Sequence, residues 1–490
     1  MFMNKIYTLL LGSCILALQS CGDFLEEVSQ DEFEPKTTEA FRELLNGEGY
    51  TFTNSVNPLT YMMDDDIESV STSSWNDIHR IQQELYTWQP DFYAFQDEEG
   101  TYASSNKDVY KNLYELIMAC NIVDEHIDGS QGTDEDKTVV RAEALSLRAF
   151  YYLQLINLYA YPYNDKDHDP STALGVPLVL TSEVFDEGKS RNTVKEVYDQ
   201  IAADIEQACD LFNQDKISRG VFRMSYTAAH LLASRVYLYM ENWNKVIEHA
   251  TYALETAPEL VDLNNYTIDN NQNPTNGVIS RNFPETIFLG GYRAISGSYG
   301  LMGSPFNVSS SLFNLYTAND LRIGTYLMKA ASYLPYNYML LKFSSEQEYA
   351  WRTSELYLNR AEAYIELYKK GNQEDGQNAI NDLNVLLSKR YRDYEPLRLQ
   401  PVNELQKLYR EERRKELCFE GFRWFDLRRY GMPQLEHILI DQSGNSTRYI
   451  LKEKDPVSPQ TTLTIKVLHA RHPKRNPFLR PFWVLSFYLR

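Results

Sequence analysis

The stretch from Tyr409 to Gly431 reads Tyr-Arg-Glu-Glu-Arg-Arg-Lys-Glu-Leu-Cys-Phe-Glu-Gly-Phe-Arg-Trp-Phe-Asp-Leu-Arg-Arg-Tyr-Gly. Its first half is a charged helix that ends near Phe419. Gly421 permits a turn, and Trp424, Phe425 and Leu427 bring the chain back to a core. Glu420 and Asp426 raise the question of a glycosidase acid/base pair. Nothing in the spacing sets them across a sugar, and Arg423, Arg428 and Arg429 lie beside them. A buried ion-pair network is the expected role.

Working outward, the patterns are mainly helical. From Lys111, the apolar residues Leu113, Leu116, Ile117, Cys120 and Val123 recur in steps of three and four, as an amphipathic helix requires. Asp136 to Tyr159 predicts a longer helix, and Thr193 is a suitable N-cap for the next one. From Ser225, Ala229, Ala233 and Tyr237 are spaced by four, Trp243 follows a tight turn, and Ala250 lies in the following helix. This resembles a tetratricopeptide helix-turn-helix unit. A further pair runs from Glu355 through a Lys370-Gly371-Asn372 turn to Leu387. The pairs near 136–212, 226–256 and 353–389 have no constant period. The fold class is therefore mainly α: a tetratricopeptide-like scaffold of helical pairs with long loop-rich insertions and a few short strands. Residues 55–108 and 257–350 carry most of the irregular sequence.

The 490 residues carry a formal charge of -20. A nucleic-acid partner needs a basic face, so it is excluded as an expectation. The 36 tyrosines fit an adhesive surface, or equally a compositional bias. Of the five cysteines, none pair as C-x-x-C and none has zinc spacing with histidine. Cys120, Cys209 and Cys418 are expected to be buried small apolar residues. No cofactor and no metal site is expected. The first residues differ. Ile6 to Leu18 is mainly apolar but shorter than the ~20 residues a bilayer span needs, and it fits a signal-peptide core. Leu18-Gln19-Ser20-Cys21 resembles a bacterial lipobox. This implies removal of 1–20 and acylation of Cys21. Leu11-Gly12-Ser13-Cys14 also matches, but it would leave too short an apolar core.

The Tyr409–Gly431 stretch resembles the R-R-E-R-x-x-E-L-x-F-E-G-x-R-W-F-D-L-x-R-W-G signature of the SusD/RagB family of nutrient-binding lipoproteins. Glu355–Ala363 resembles the family's E-x-Y-L-x-x-A-E-A helix, and Asn384 falls in its L-N element. Tyr114–Asn121 is similar to Y-x-x-I-x-x-x-N, Arg141–Tyr159 to A-E-A-x-x-L-R-A-x-x-Y, and Gly175–Leu178 to G-V-P-L. The resemblance spans about 16 to 455. It implies one SusD-like domain over 21–490, with an N-terminal part over 21–225 and a C-terminal part over 226–455. It also implies a non-catalytic lipoprotein facing the cell exterior, which closes over a SusC-like TonB-dependent transporter of the outer membrane. The ligand would be a glycan, or in some relatives a peptide. The acidic run Asp23, Glu26, Glu27, Asp31, Glu32 and Glu34 resembles a surface-export signal, and it also suits a solvated linker.

Family sites draw on the loops before the Tyr114 helix and on the middle insertion. These offer Asp65, Asp66, Trp75, Asn76, Trp88, Tyr102, Asn106, Tyr292, Arg293, Tyr299 and Tyr336. The candidate ligand contacts are Asp66, Trp75, Asn76, Tyr102, Tyr292 and Tyr299, with Trp75 first because its neighbours are polar. Trp88 is assigned to the core. Competing roles are a purely scaffolding or peptide-binding protein and, with no nucleophile motif to support it, a secreted glycoside hydrolase.

The segment 456–490 departs from the pattern. It has no Asp or Glu but carries His469 and His472 among several Lys and Arg. It is expected to be either a shifted reading frame near Pro456 to Arg475 or a basic tail that touches a partner or lipid headgroups. The anchor is tested by labelling cells with a fatty-acid analogue. The wild-type chain is expected to label and Cys21→Ala to stay unlabelled; equal labelling would remove Cys21 as the tether.

Overall fold

The computed structural model describes residues 35–451, apart from 52–55, 57–59, 72–76, 90–108, 184–187, 215, 270–274, 293–304, 331, 333–336, 343–346 and 442. Cys21 and the segment 456–490 therefore lie outside the described residues.

The described residues open with α1 (Thr38–Leu44), a π turn at Leu45–Gly49, β1 (Ile67–Ser69) and α2 (Asp77–Tyr86). Four longer helices follow: α3 (Val109–His126), α4 (Asp134–Tyr159), α5 (Val194–Phe212) and α6 (Tyr226–Tyr239). Next come α7 (Trp243–Leu254), β2 (Thr286–Tyr292), β3 (Phe306–Val308), the short α8 (Ser310–Phe313), β4 (Leu327–Lys329), β5 (Tyr338–Leu340) and β6 (Gln347–Arg352). The last elements are α9 (Thr353–Lys369), α10 (Gln373–Leu387), α11 (Val402–Leu417), α12 (Arg423–Arg429), β7 (Leu435–Ile440) and β8 (Ser446–Leu451).

The helix starts follow the sequence signals. Thr193 accepts from the Glu196 amide while the Glu196 side chain reaches back to Thr193, a complete capping box. Thr133, Ser225, Asn242 and Asn372 cap α4, α6, α7 and α10 in the same way, each accepting one of the first unpaired amides. Consecutive helices then pack side by side: α3 on α4, α4 on α5, α5 on α6, α6 on α7, α7 on α9, and α9 on α10. Ala228, Ala229 and Ala233 of α6 and Ala250 and Ala253 of α7 are buried. Their small side chains let the two helices approach closely, as their spacing predicted. Cys120, Cys209 and Cys418 are free thiols in the interior, also as expected.

The family-like motifs of the N-terminal half act as a clasp. Tyr114 Oη donates to Pro177 O (2.7 Å), Tyr152 Oη to Val179 O (2.8 Å), and Asn121 Nδ2 to Val179 O and Thr181 O. The 175–181 strap thus has its carbonyls satisfied by α3 and α4 rather than by water. Arg148 completes this corner with paired bonds to the Asp204 carboxylate of α5 at 2.8 Å each.

Among the described residues the strands form four two-stranded antiparallel ribbons: β1–β3, β2–β6, β4–β5 and β7–β8. Among those residues, no helix is long and apolar enough to cross a membrane.

The β2–β6 ribbon packs Phe288, Tyr349 and Trp351 against Phe150 of α4. Gly290 faces Tyr349 in this ribbon. A Cβ there would sit 2.6 Å from Tyr349 Oη and 2.9 Å from Cζ. The Tyr349 ring is hemmed by Phe150 and Phe288 and has little room to move. Gly290→Ala is expected to destabilise the protein by ~1–3 kcal/mol in urea unfolding. An unchanged midpoint would show that the ribbon can relax.

Candidate functional site

The charged half of the signature forms α11, and the chain leaves it through two left-handed residues, Phe419 (φ 62°) and Gly421 (φ 84°). This turn points Glu416 and Glu420 into the interior. Glu416 Oε1 accepts from Arg352 Nη1 and Arg390 Nη2, each at 3.0 Å, and from Tyr326 Oη at 2.8 Å. Its Oε2 accepts from Arg390 Nε (3.0 Å) and Arg322 Nη1 (3.4 Å). Glu420 holds Lys342 and Arg352, while Glu285 holds Arg390 and Arg352. Asp320 and Glu412 complete the pairing of Arg322, and Lys415 closes on both. Five cations (Arg322, Lys342, Arg352, Arg390, Lys415) thus meet five carboxylates (Glu285, Asp320, Glu412, Glu416, Glu420), and the cluster is neutral.

The other signature charges are spent the same way. Asp426 accepts from Arg413 Nε (2.8 Å) and Arg429 Nε (2.9 Å), and Arg429 forks onto Glu362 of α9. Arg428 donates to the carbonyls of Asn157 and Ala160 at the end of α4. Glu420 and Asp426 are buried within separate sets of cations. Glu420 borders a small cavity with Phe150, Trp351 and Phe422, but its oxygens are held by Lys342 and Arg352, and Asp426 is not among the residues lining that cavity, so the two do not form an acid/base pair across it.

Two candidate ligand contacts fall in this framework instead. Asp66 is fully buried, and its carboxylate takes Arg414 Nε at 2.7 Å. Asp65 takes Arg423 Nε and Nη2 at 2.7 and 2.9 Å. Asp66 has no surface to offer a sugar, which corrects its assignment as a ligand contact; its role is to tie α11 to the N-terminal segment. Burial raises the Asp66 carboxyl above its ordinary range, and the Arg414 charge only partly offsets this. Burial opposes the Asp65 carboxylate too, but its bonds to Arg423 and the nearby guanidiniums win and lower it. Trp88 packs against the core with its ring stacked on His437, and its indole N–H donates to Met63 O (2.9 Å).

Trp75, Asn76, Tyr102, Asn106, Arg293, Tyr299 and Tyr336 lie outside the described residues, and Tyr292 ends β2 opposite Gln347. The flanks of these segments are informative. Val70 N donates to Pro305 O (2.6 Å) beyond the β1–β3 ribbon, whose register pairs Ser69 with Phe306. Residues 69–70 and 305–306 therefore lie side by side. At the other end of 293–304, Gly291 N donates to Thr51 Oγ1 (2.8 Å). Thr51 is thus held beside the end of β2, where Tyr292 pairs with Gln347. In the chain, Trp75 and Asn76 follow the first of these pairings, and Arg293 and Tyr299 lie between the two.

The sequence missed one grouping. Cys209 of α5, His230 of α6 and His249 of α7 are buried together. No linear spacing marks them, because three separate helices bring them into contact. Burial pushes the Cys209 thiol well above its usual range and the His230 imidazole down to about 3.

Comparison with known proteins follows this geometry. Residues 23–238 match a family model described as SusD-like, starch-binding and associating with the outer membrane. Residues 314–470 match the model of the SusD family, which includes RagB. The chain belongs to the SusD/RagB family. No curated protein is similar enough to be matched to it. Solved structures agree on the fold. A SusD-like carbohydrate binding protein from Bacteroides vulgatus is 23% identical over 85% of this chain and 90% of its own, with a TM-score of 0.63. A SusD superfamily protein from Bacteroides thetaiotaomicron is 22% identical over 84% and 91%, also at 0.63. Another from Bacteroides vulgatus is 20% identical over 86% and 92%, at 0.65.

The SusD match reaches residue 470, past the point where the resemblance was expected to stop. Residues 239–313 fall in neither match, and Tyr292, Arg293 and Tyr299 lie there. The hub lies largely in the second match. Burial disfavours the Glu416 carboxylate, but the charges of Arg390, Arg352 and Arg322 outweigh it and hold its pKa well below the usual 4.5. A group depressed in this way stabilises the fold above its unfolded pKa and loses that contribution as the pH falls. Glu416→Gln is expected to cost ~3–5 kcal/mol at neutral pH. The deficit against wild type should shrink as the pH drops below 4.5. Urea titrations at several pH values check this, and a pH-independent deficit would contradict it.

Proposed function

We propose that this chain is a non-catalytic cell-surface lipoprotein that binds an oligosaccharide or polysaccharide and passes it to a TonB-dependent outer-membrane transporter. The observation that carries the proposal is the pairing, at the β1–β3 and β2–β6 ribbons, of the described residues that flank Trp75, Asn76 and Tyr299 in the chain. They stand on a scaffold whose signature charges are consumed in internal pairs. A sugar site needs flat aromatic faces for the C–H surfaces of the ring and a few polar groups for the hydroxyls. Trp75, Asn76, Tyr102, Tyr292 and Tyr299 supply those residue types. Membership of a family whose model is described as starch-binding supports a glycan ligand, as does the fold of a solved carbohydrate binding protein. The description "associating with outer membrane" supports anchorage through Cys21.

In this reading, binding does the work and no bond is broken. Release to the transporter follows from contacts that favour a closed arrangement of the two proteins over the open one. Residues 239–313 are the natural place for ligand selectivity, since they fall outside both family matches.

A glycan array followed by calorimetry and product analysis tests the proposal. Selective binding without product is expected, and Trp75→Ala should weaken the affinity by about tenfold, or ~1.4 kcal/mol. Product release would instead favour a hydrolase, and binding of peptides alone a peptide receptor. Unchanged affinity in Trp75→Ala would remove this residue from the site.

A further inference from the structure

We propose that Cys209, His230 and His249 form a zinc site that clamps α5, α6 and α7 together. Each residue comes from a different helix, and each is at most 2% exposed. One ligand atom from each lies within 4.8 Å of the others.

The hydrogen bonds expose a surplus of lone pairs. His249 Nε2 lies 3.3 Å from Glu206 Oε1, so that nitrogen carries the proton and donates to the carboxylate. His249 Nδ1 is then a lone pair. It sits 2.9 Å from His230 Nδ1, which must donate. That leaves His230 Nε2 as an acceptor, and this atom is buried with no hydrogen-bond partner. A cation bound between the two Nδ1 atoms takes the place of the shared proton: His249 keeps its Nε2–H bond to Glu206, and His230 carries its proton on Nε2.

The donor set selects the ion. Two imidazoles and a thiolate suit zinc, with Zn–N of about 2.0–2.1 Å and Zn–S of about 2.3 Å. Tetrahedral angles then require N···N of about 3.3 Å and N···S of about 3.6 Å. The imidazoles need to part by a few tenths of an ångström, and since every separation lies within 4.8 Å none has to close by more than about 1.2 Å. Glu206 stands behind His249 as the carboxylate that fixes a metal-bound imidazole. It is itself held by Tyr237 Oη (2.6 Å) and Lys245 Nζ (3.1 Å). A cavity of about 290 Å³ lined by Cys209, Tyr226, His230 and His249 provides entry and room for water as the fourth ligand. On binding, the Cys209 thiol gives its proton to solvent and coordinates as thiolate, with no change of oxidation state. The acidic cluster Asp64–Asp65–Asp66 is not a rival, since Arg414 and Arg423 already hold Asp65 and Asp66, and burial beside those two carboxylates pushes the Asp64 carboxyl up toward its neutral form.

The test is a titration of the chelator-stripped full chain with Co²⁺, followed by displacement with Zn²⁺. One equivalent should produce tetrahedral cobalt absorption with a sulfur-to-cobalt charge-transfer band, and Zn²⁺ should abolish it. Cys209→Ala should lose the charge-transfer band, whereas Cys120→Ala should keep it. Glu206→Gln should keep the band with affinity weaker by about 10–100-fold. Absence of the band in wild type, or its survival in Cys209→Ala, would overturn the site. Should Cys209→Ala fail to fold, His230→Gln decides: affinity at least about tenfold weaker supports the site, and unchanged affinity overturns it.

Discussion

The Glu416 carboxylate is the point on which the C-terminal half turns. Three guanidiniums reach it from distant parts of the chain: Arg322 ahead of β4, Arg352 at the β6–α9 junction, and Arg390 beyond α10. Taking these charges out of water is costly, and the mutual attraction repays the cost only when every partner is present and bonded. The cluster meets that condition through Glu285, Asp320, Glu412 and Glu420. The penalty for losing any one member makes the cluster a register device. It allows one arrangement of α11, β6 and the 258–285 segment, because a shifted arrangement strands a buried charge.

That constraint separates scaffold from function. The Tyr409–Gly431 residues that look most like chemistry are spent on holding the molecule together. Arg413 and Arg429 engage Asp426 and Glu362, and Arg414 and Arg423 reach back to Asp66 and Asp65. The ligand contacts proposed at Trp75, Asn76, Tyr292 and Tyr299 lie close in sequence to the β1–β3 and β2–β6 ribbons. A rigid base with irregular chain above it is the usual way a fold accommodates varied ligands.

Much of this was legible in the sequence. The helical pairs followed from apolar spacing, and the cap at Thr193 from residue type. Burial of Trp424, Phe425 and Leu427 followed from the turn at Gly421. These signals are local, so a linear pattern contains them. The pairing of Asp66 with Arg414 spans 348 positions. Only the docking of α11 on the N-terminal segment makes it, which is why Asp66 was read as a ligand contact. Cys209, His230 and His249 were missed for the same reason: their proximity is a product of helix packing. The family was readable from its motifs, and the match of both family models bears it out. Trp75, Asn76 and Tyr299 rest on residue type and on the position of their flanks, since an aromatic residue in a polar loop looks the same in sequence with or without a ligand.

Native-state hydrogen exchange tests most directly whether the charge hub makes the two halves one cooperative unit. The account predicts that amides of α11, α12 and β6 exchange only as slowly as global unfolding allows, together with those of α3 and α4. Exchange of α11 and α12 through a separate, lower-energy opening, with α3 and α4 still protected, would contradict it.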